Sequence, residues 1–471
     1  MSAKIFAHDS VRTLDDFEHE ALRLARVLRE HGVGPGDRVT LKAGNSAPWV
    51  ASLLALMHIG ASIVLIDQQE HVDETRRIIL RTGSKLVLCD EDAPLDRDQE
   101  ALYLYELLAA SVGRTPLEAR LDVETWCDLP DALIMWTSGS TGSPKGVVKS
   151  GRKFLKNLER NADQVGHRAE DVLLPLLPFA HQYGLSMVLI AWLRRCSLVI
   201  APYKRLDRAL VMAGLTGATV IDATPASYRS MLNLVSRKPI LRPVLAGARM
   251  FCVGAAPLDA PLVEAYAEEF GMPLLDSYGS TELGNIAFAT LDNPVACGQA
   301  MAGIGLRVVD EEGRPVAAGT VGELEVDTPD ALEGWLDETG TLEVVPPGWQ
   351  RTGDLGYLDE AGNVFVLGRK YAVTRMGYTL YPELIQRSLE AKGCSVRIVA
   401  LPDERRGSRL VFFVEDGEGR PATHWRKRLR DMLGAYERPD RVEVVGSFPL
   451  NRNGKPDMRA MEKLATEARI A

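Results

Sequence analysis

Ala132-Leu133-Ile134-Met135-Trp136-Thr137-Ser138-Gly139-Ser140-Thr141-Gly142-Ser143-Pro144-Lys145-Gly146 is the stretch from which the rest of the chain can be read. Its apolar opening, residues 132–136, predicts a buried strand. The strand runs into hydroxyls, glycines and a lysine packed within ten residues. Glycine lets a backbone turn with its N–H groups facing inward, hydroxyls add donors that rotate, and a lysine at the rim adds a point charge. Such a loop is suited to holding a polyphosphate. It is not a Walker A loop, whose lysine opens a helix, because Pro144 precedes Lys145 and Gly146 follows it. The plain alternative is a flexible surface loop; the preceding strand and the density of donors weigh against it.

Outward from this loop, helix and strand patterns alternate. Phe17, Ala21, Leu24, Ala25 and Leu28 recur at helical spacing over residues 15–31, and Pro35 among glycines breaks the pattern. Further helices are predicted over 47–59, 71–81, 153–161 and 185–194. Strands are predicted over 38–42, 61–66, 85–89, 171–176, 197–201 and 250–253. That order predicts an α/β fold, a large N-terminal domain of helix-covered, mostly parallel sheets. Short β runs over 305–309, 322–326 and 363–367, separated by Gly, Asp and Pro turns, predict a small β-rich subdomain. Beyond residue 370 come a helix over 381–390, strands over 395–400, 409–415 and 441–445, and a basic helix over 423–433. This reads as a small, mobile α+β C-terminal domain. The expected division is 1–369 and 370–471. Arg426, Lys427, Arg428 and Arg430 read most simply as a solvated helix face.

The chain has 471 residues, with 55 Lys plus Arg against 64 Asp plus Glu, a formal net charge of −9. That balance argues against a nucleic-acid binder. Hydrophobic residues at 46% and charged residues at 25% are globular usage and exclude wholesale disorder. Cys89, Cys127, Cys196, Cys252, Cys297 and Cys394 are scattered with no C-x-x-C pair, which suits small buried thiols in a reducing cytoplasm. No apolar stretch is long and uninterrupted enough to predict a transmembrane span.

Several other segments carry chemistry. His181 stands in Phe179-Ala180-His181-Gln182-Tyr183-Gly184-Leu185, where a histidine before a helix is most simply a cap or core contact. Gly254-Ala255-Ala256-Pro257 follows a strand, and small residues there let a flat ring approach the backbone. Asp276-Ser277-Tyr278-Gly279-Ser280-Thr281-Glu282 offers a ring face, a hydroxyl and a hard oxygen ligand suited to Mg2+; the bland reading of the Thr-Glu pair is a helix N-terminus. Arg351-Thr352-Gly353-Asp354 supplies a carboxylate able to accept two hydroxyls. Asn451-Arg452-Asn453-Gly454-Lys455 is, by itself, only a turn.

Taken together and in this order, these motifs resemble the ANL superfamily of adenylate-forming enzymes, which includes acyl-CoA synthetases, aryl-CoA ligases, peptide-synthetase adenylation domains and luciferases. The resemblance runs from about residue 14 to Lys455. It implies that Thr137, Ser138, Gly139, Ser140, Thr141, Gly142 and Lys145 hold the β and γ phosphates of ATP. Gly254, Ala255, Ala256 and Pro257 would form the adenine turn, with Asp276, Ser277, Tyr278 and Gly279 beside it. Thr281 would meet the α-phosphate, Glu282 would hold Mg2+, Asp354 would anchor the ribose, and Arg369 would contact ribose or phosphate. Lys455 and His181 would act at the substrate carboxylate, and Lys370 would be the hinge. Amino-acid-activating members carry an Asp near residue 181 to pair the substrate amine, and no Asp stands in that segment.

The resemblance implies adenylation of a small carboxylic acid, aromatic acids included, followed by transfer to a thiol, with CoA expected. The run from Arg369 to Gly377 is one residue shorter than in the family, and it serves the second half-reaction there. This keeps other acceptors open, an acyl carrier protein or an amine, as well as activation of an oxyacid such as nitrous acid. A non-catalytic nucleotide binder is the reading from another class; intact Lys145, Glu282, Asp354 and Lys455 argue against it. A homodimer is among the expectations.

Overall fold

Leu14–Glu30 forms a helix whose start is fixed by a capping box: the Thr13 hydroxyl accepts from the Asp16 N–H, and the Asp16 side chain reaches back to the Thr13 N–H. Ala47–Ile59 is apolar on every side, opens on Ser46 with proline in its first turn, and ends on left-handed Gly60. A helix without a polar face must be surrounded, and every one of its residues is buried.

In the computed structural model, residues 2–137, 145–256, 258–369, 373–375, 378–403, 407–434, 437–452 and 454–467 are described. Among the described residues, two large sheets sandwich this helix. One has eight strands, in which Leu133–Thr137, Ser62–Ile66, Arg38–Lys42, Leu86–Cys89 and Leu102–Tyr103 run parallel. The other has nine. Its interior strands Leu274–Ser280, Met250–Val253, Val220–Ala223, Val172–Pro175, Ser197–Val199 and Lys4–Phe6 are parallel, and both edges are antiparallel. One hydrophobic core joins both sheets through Phe17, Trp49, Phe154 and Leu185. A second core covers the outer face of the nine-stranded sheet, around Tyr228, Phe251 and Tyr266.

The β-rich stretch forms a four-stranded antiparallel sheet of Gly305–Val309, Gly322–Asp327, Gln350–Leu358 and Val364–Arg369. The short strands Gly334–Leu336 and Leu342–Val344, not foreseen from sequence, extend the eight-stranded sheet instead. Residues after 373 gather into their own clusters, around Trp425 and Phe412 and around Phe413 and Met461. The basic helix Ala422–Met432 buries Trp425 and Leu429 and exposes Arg426, Lys427 and Arg430, a solvated face as read. All six cysteines are buried and free. Among the described residues, no helix is long and apolar enough to cross a membrane.

Candidate active site

Three parallel strands, Val220–Ala223, Met250–Val253 and Leu274–Ser280, end side by side. In open α/β sheets, ligands bind in the crevice beyond such ends. After Val253 the chain turns sharply. A Cβ at Gly254 would stand 2.6 Å from Ser277 Oγ and 3.0 Å from the Tyr183 ring, so a side chain there would have to displace Ser277. Ala255 follows with φ +69, a left-handed conformation that costs a non-glycine residue roughly 1–2 kcal/mol. Strain of this kind collects where a ligand meets backbone. Ser277 closes the turn by donating to the Val253 carbonyl at 2.7 Å. Ala256 is half-buried beside it; Pro257 lies outside the described residues.

Leu274–Ser280 doubles back antiparallel into Gly284–Phe288, placing Thr281 and Glu282 in the connecting turn. The turn needs glycine twice: Gly284 has φ +79, and a Cβ at Gly279 would meet the Gly284 carbonyl at 2.7 Å. The bland alternative for the Thr-Glu pair, a helix N-terminus, does not hold: the acid is presented by a hairpin tip. Beneath it lies Lys149, buried, with no partner for its Nζ. Burial lowers this ammonium to about 8, against the opposing pull of Glu282 and Asp330.

Tyr278 and Asp354 meet: the phenol donates to Asp354 Oδ2 at 2.7 Å, and both residues are buried. Arg369 stands opposite Asp354 in the sheet register. The structure thus gathers the expected adenine and ribose groups at one place. Asp276, one strand residue before Ser277, is pushed up to about 7 by burial, against hydrogen bonds from the Ser277 N–H and the Cys297 thiol.

The phosphate loop spans a hairpin, with Thr137 paired opposite Lys145. Residues 138–144 lie outside the described residues, so Ser138, Gly139, Ser140, Thr141 and Gly142 are not placed. At the hairpin base Lys145 Nζ stands 5.4 Å from the Trp335 ring centroid, an exposed cation–π contact. Gly146 sits close against the ring of Trp136, where a Cβ would stand 3.1 Å away.

His181 occupies the N-cap position of the helix Gln182–Arg194 without a side-chain cap bond. Its Nε2 lies 3.4 Å from Asp67 Oδ2. Burial raises the Asp67 carboxyl, but His181 and the Gln69 N–H outweigh it and hold the group below its ordinary value. Asn45, which the sequence reading passed over, fixes the loop before His181. It donates to the Leu177 carbonyl at 2.7 Å and accepts from the Phe179 N–H at 2.8 Å.

The lysine loop is held by its own hydrogen bonds. Asn451 N–H donates to the Lys455 carbonyl at 2.7 Å, Lys455 N–H donates to Asn451 Oδ1 at 3.0 Å, and left-handed Gly454 makes the turn. It sits over the crevice, where a Cβ at Gly454 would come within 3.5 Å of Thr224 Oγ1. Arg452 pairs with Glu70 at 3.1 Å. The Glu70 carbonyl is in turn held by the buried ammonium of Lys42, which also bonds Thr75 Oγ1 and the Pro94 carbonyl. Lys370, the expected hinge, and Asn453 lie outside the described residues.

The donor set suits a nucleotide and one divalent cation. Among the described residues, no group of three or more His, Cys, Asp or Glu could enclose a metal. Mg2+ needs no such cage, binding through one or two carboxylates plus substrate phosphates, and Glu282 at a hairpin tip offers one.

The family described as "AMP-binding enzyme" matches residues 3–336, and the family described as "AMP-binding enzyme C-terminal domain" matches residues 395–455. A fatty acid–[acyl-carrier-protein] ligase of Streptomyces coeruleorubidus is 28% identical, covering 94% of this chain and 89% of that protein. A 2-succinylbenzoate–CoA ligase of Enterococcus faecalis is 26% identical, covering 92% and 89%. The ATP-bound crystal structure of MatB from Rhodopseudomonas palustris is 25% identical, covers 98% of this chain and 95% of that one, and superimposes with a TM-score of 0.86. The apo structure of the same protein gives 0.76.

Proposed function

The chain belongs to the AMP-binding enzymes, the adenylate-forming superfamily, and from that premise we propose that it joins a small carboxylic acid to the thiol of CoA through an acyl-adenylate. The observation that carries this reading is the meeting of three groups from distant parts of the chain. Tyr278 is bonded to Asp354, and the Lys455 loop is seated over Thr224 at the mouth of the same crevice. The better superposition on an ATP-bound relative than on its apo form supports reading this arrangement as the one for adenylation.

In that reaction the acid's carboxylate attacks the α-phosphorus of ATP in line, pyrophosphate leaves, and the acyl-adenylate remains. Tyr278 and the strained 254–256 turn sandwich the adenine, and Asp354 accepts the ribose hydroxyls. Thr137 and Lys145, at the base of the phosphate hairpin, bind the leaving phosphates. Thr281 donates to the α-phosphate, and Lys455 bridges it to the incoming carboxylate, where negative charge develops. Mg2+ held by Glu282 would neutralise phosphate charge. His181, oriented by Asp67, lines the acid's approach. In the second step the thiol sulfur attacks the acyl carbon, and AMP leaves with the carboxyl-derived oxygen of the mixed anhydride. We assign residues 1–369 and 370–471 to two bodies that rotate about Lys370 between the steps, withdrawing Lys455. A carrier-protein thiol is the second reading of the acceptor, favoured by the Streptomyces relative.

Acid-dependent ATP–pyrophosphate exchange tests the first step, with a panel of benzoates, cinnamates, short and medium fatty acids, amino acids and, separately, nitrite. Exchange with one carboxylate class is expected. CoA and a phosphopantetheinylated carrier protein are then compared as acceptors. Turnover with nitrite alone, or nucleotide binding with no exchange at all, would overturn the carboxylate reading.

A further inference from the structure

Asp222 was not among the residues read from the sequence as functional, since it sits within the apolar strand Val220–Ala223. It is paired across to Cys252 on one side and Pro175 on the other, and only 2% of it is exposed. Its Oδ1 accepts the Tyr183 hydroxyl at 2.9 Å; its Oδ2 has no partner. The titratable groups facing it are Tyr183, Tyr228 and Cys252, all kept neutral by burial. With desolvation outweighing the Tyr183 bond, the carboxyl is pushed up to about 7. A buried acceptor left unmet costs about 1–3 kcal/mol. Such a cost is tolerated where something outside the fold supplies the missing donor.

The position says what that donor is. Two residues further on, Thr224 lies under the lysine loop, where the acid's carboxylate reacts. The Tyr183 ring, bonded to Asp222, lies against Gly254 and so against the same crevice. Asp222 therefore closes the crevice roughly 7 Å of strand away from its mouth, a span for a single ring or a short chain.

We propose that the acid this enzyme activates carries a hydrogen-bond donor, an amine or a hydroxyl, at the end away from its carboxylate, and that Asp222 Oδ2 accepts it while Tyr183 fixes the carboxyl. The inference rests on the adenylation reading and names its substrate class. Asp222 is then a specificity residue. A site with a buried acceptor discriminates strongly against the analogue that leaves it unpaired, whereas a methylene more or less is worth far less.

The test uses the full chain and matched acids in ATP–pyrophosphate exchange. Hydroxy- and aminobenzoates are set against benzoate and toluates, and 3-hydroxy- and 3-aminobutyrate against butyrate. Wild type should favour a donor-bearing acid over its donor-free match by about 10²-fold or more in kcat/KM. Asp222→Leu should erase or reverse that preference while ATP affinity, measured by nucleotide fluorescence, stays unchanged; this also certifies the fold. An ammonium and a hydroxyl are separated by comparing the hydroxy acids with the amino acids at one pH. With either donor the preference should rise with pH through about 7, because ionised Asp222 is the stronger acceptor. Equal exchange with donor-bearing and donor-free acids would overturn the inference and leave the adenylation reading standing. An unchanged preference in Asp222→Leu would overturn it too. No exchange with any carboxylate would remove both.

Discussion

The crevice floor around Asp222 and the loop around Lys455 meet at Thr224, yet they are built in opposite ways. The floor is made by neighbours in the sheet: Asp222, Cys252 and the Gly254 turn are locked by strand register and buried against Tyr183. The lysine loop carries its own frame, the Asn451–Lys455 bonds, and meets the larger unit at the Arg452–Glu70 ion pair and where Gly454 lies over Thr224. The contrast teaches where function can be separated from stability. Floor residues hold the fold and read the substrate at once. The lysine loop sets its own backbone conformation, so a change at Lys455 should weigh more on the reaction than on the fold.

The sharpest way to break this contrast is Lys455→Ala. Removing a cation aimed at developing charge should lower exchange by about 10²–10³-fold, with an unchanged thermal midpoint and near-normal ATP affinity. A large drop in midpoint would show that the loop supports the fold after all.

Asp354→Ala comes next and should register on both counts. Losing the ribose anchor should raise KM for ATP by about 10–10²-fold, the worth of one or two hydrogen bonds to a charged group. Losing the bond from Tyr278 should lower the midpoint as well. Tyr278→Phe, which removes that bond and keeps the carboxylate, separates the two effects when exchange and melting are measured together.

A third expectation concerns pH and stability. Folded Asp222 keeps its proton up to about 7, whereas the unfolded carboxyl releases it near its ordinary 3.8. The native state thus binds more protons between those values, so this residue's contribution to stability falls as pH rises from about 4 to 7 and is flat above. Asp276, also raised to about 7, contributes the same slope. Asp222→Asn should therefore gain on wild type as pH rises, and urea melts at pH 5 and pH 8 measure the difference. A constant gap would show that the carboxyl is ionised throughout.

The smallest effect is expected at the lid contact. Arg452 and Glu70 are partly exposed, 44% and 33% by side chain, a setting worth about 0.2–1 kcal/mol. Arg452→Glu should cost exchange two- to fivefold, should lose less at high salt, and should be rescued by adding Glu70→Arg. No rescue would mean that Arg452 acts elsewhere.

The parts could be read from short stretches of chain. The helix Ala47–Ile59, the strands Arg38–Lys42 and Met250–Val253, and the motif glycines were legible because periodicity, caps and close-approach glycines are properties of short stretches. So was the order of motifs that marks the superfamily. Only the folded chain shows that Thr281 and Glu282 stand on a hairpin tip, that Tyr278 bonds Asp354, that Arg452 answers Glu70, and that the acid inside Val-Ile-Asp-Ala is buried against Tyr183. Each of those facts depends on a partner distant in the chain, supplied by strand order and sheet packing. A local pattern cannot name such a partner, because burial and hydrogen-bond satisfaction are set by the whole fold and not by the segment.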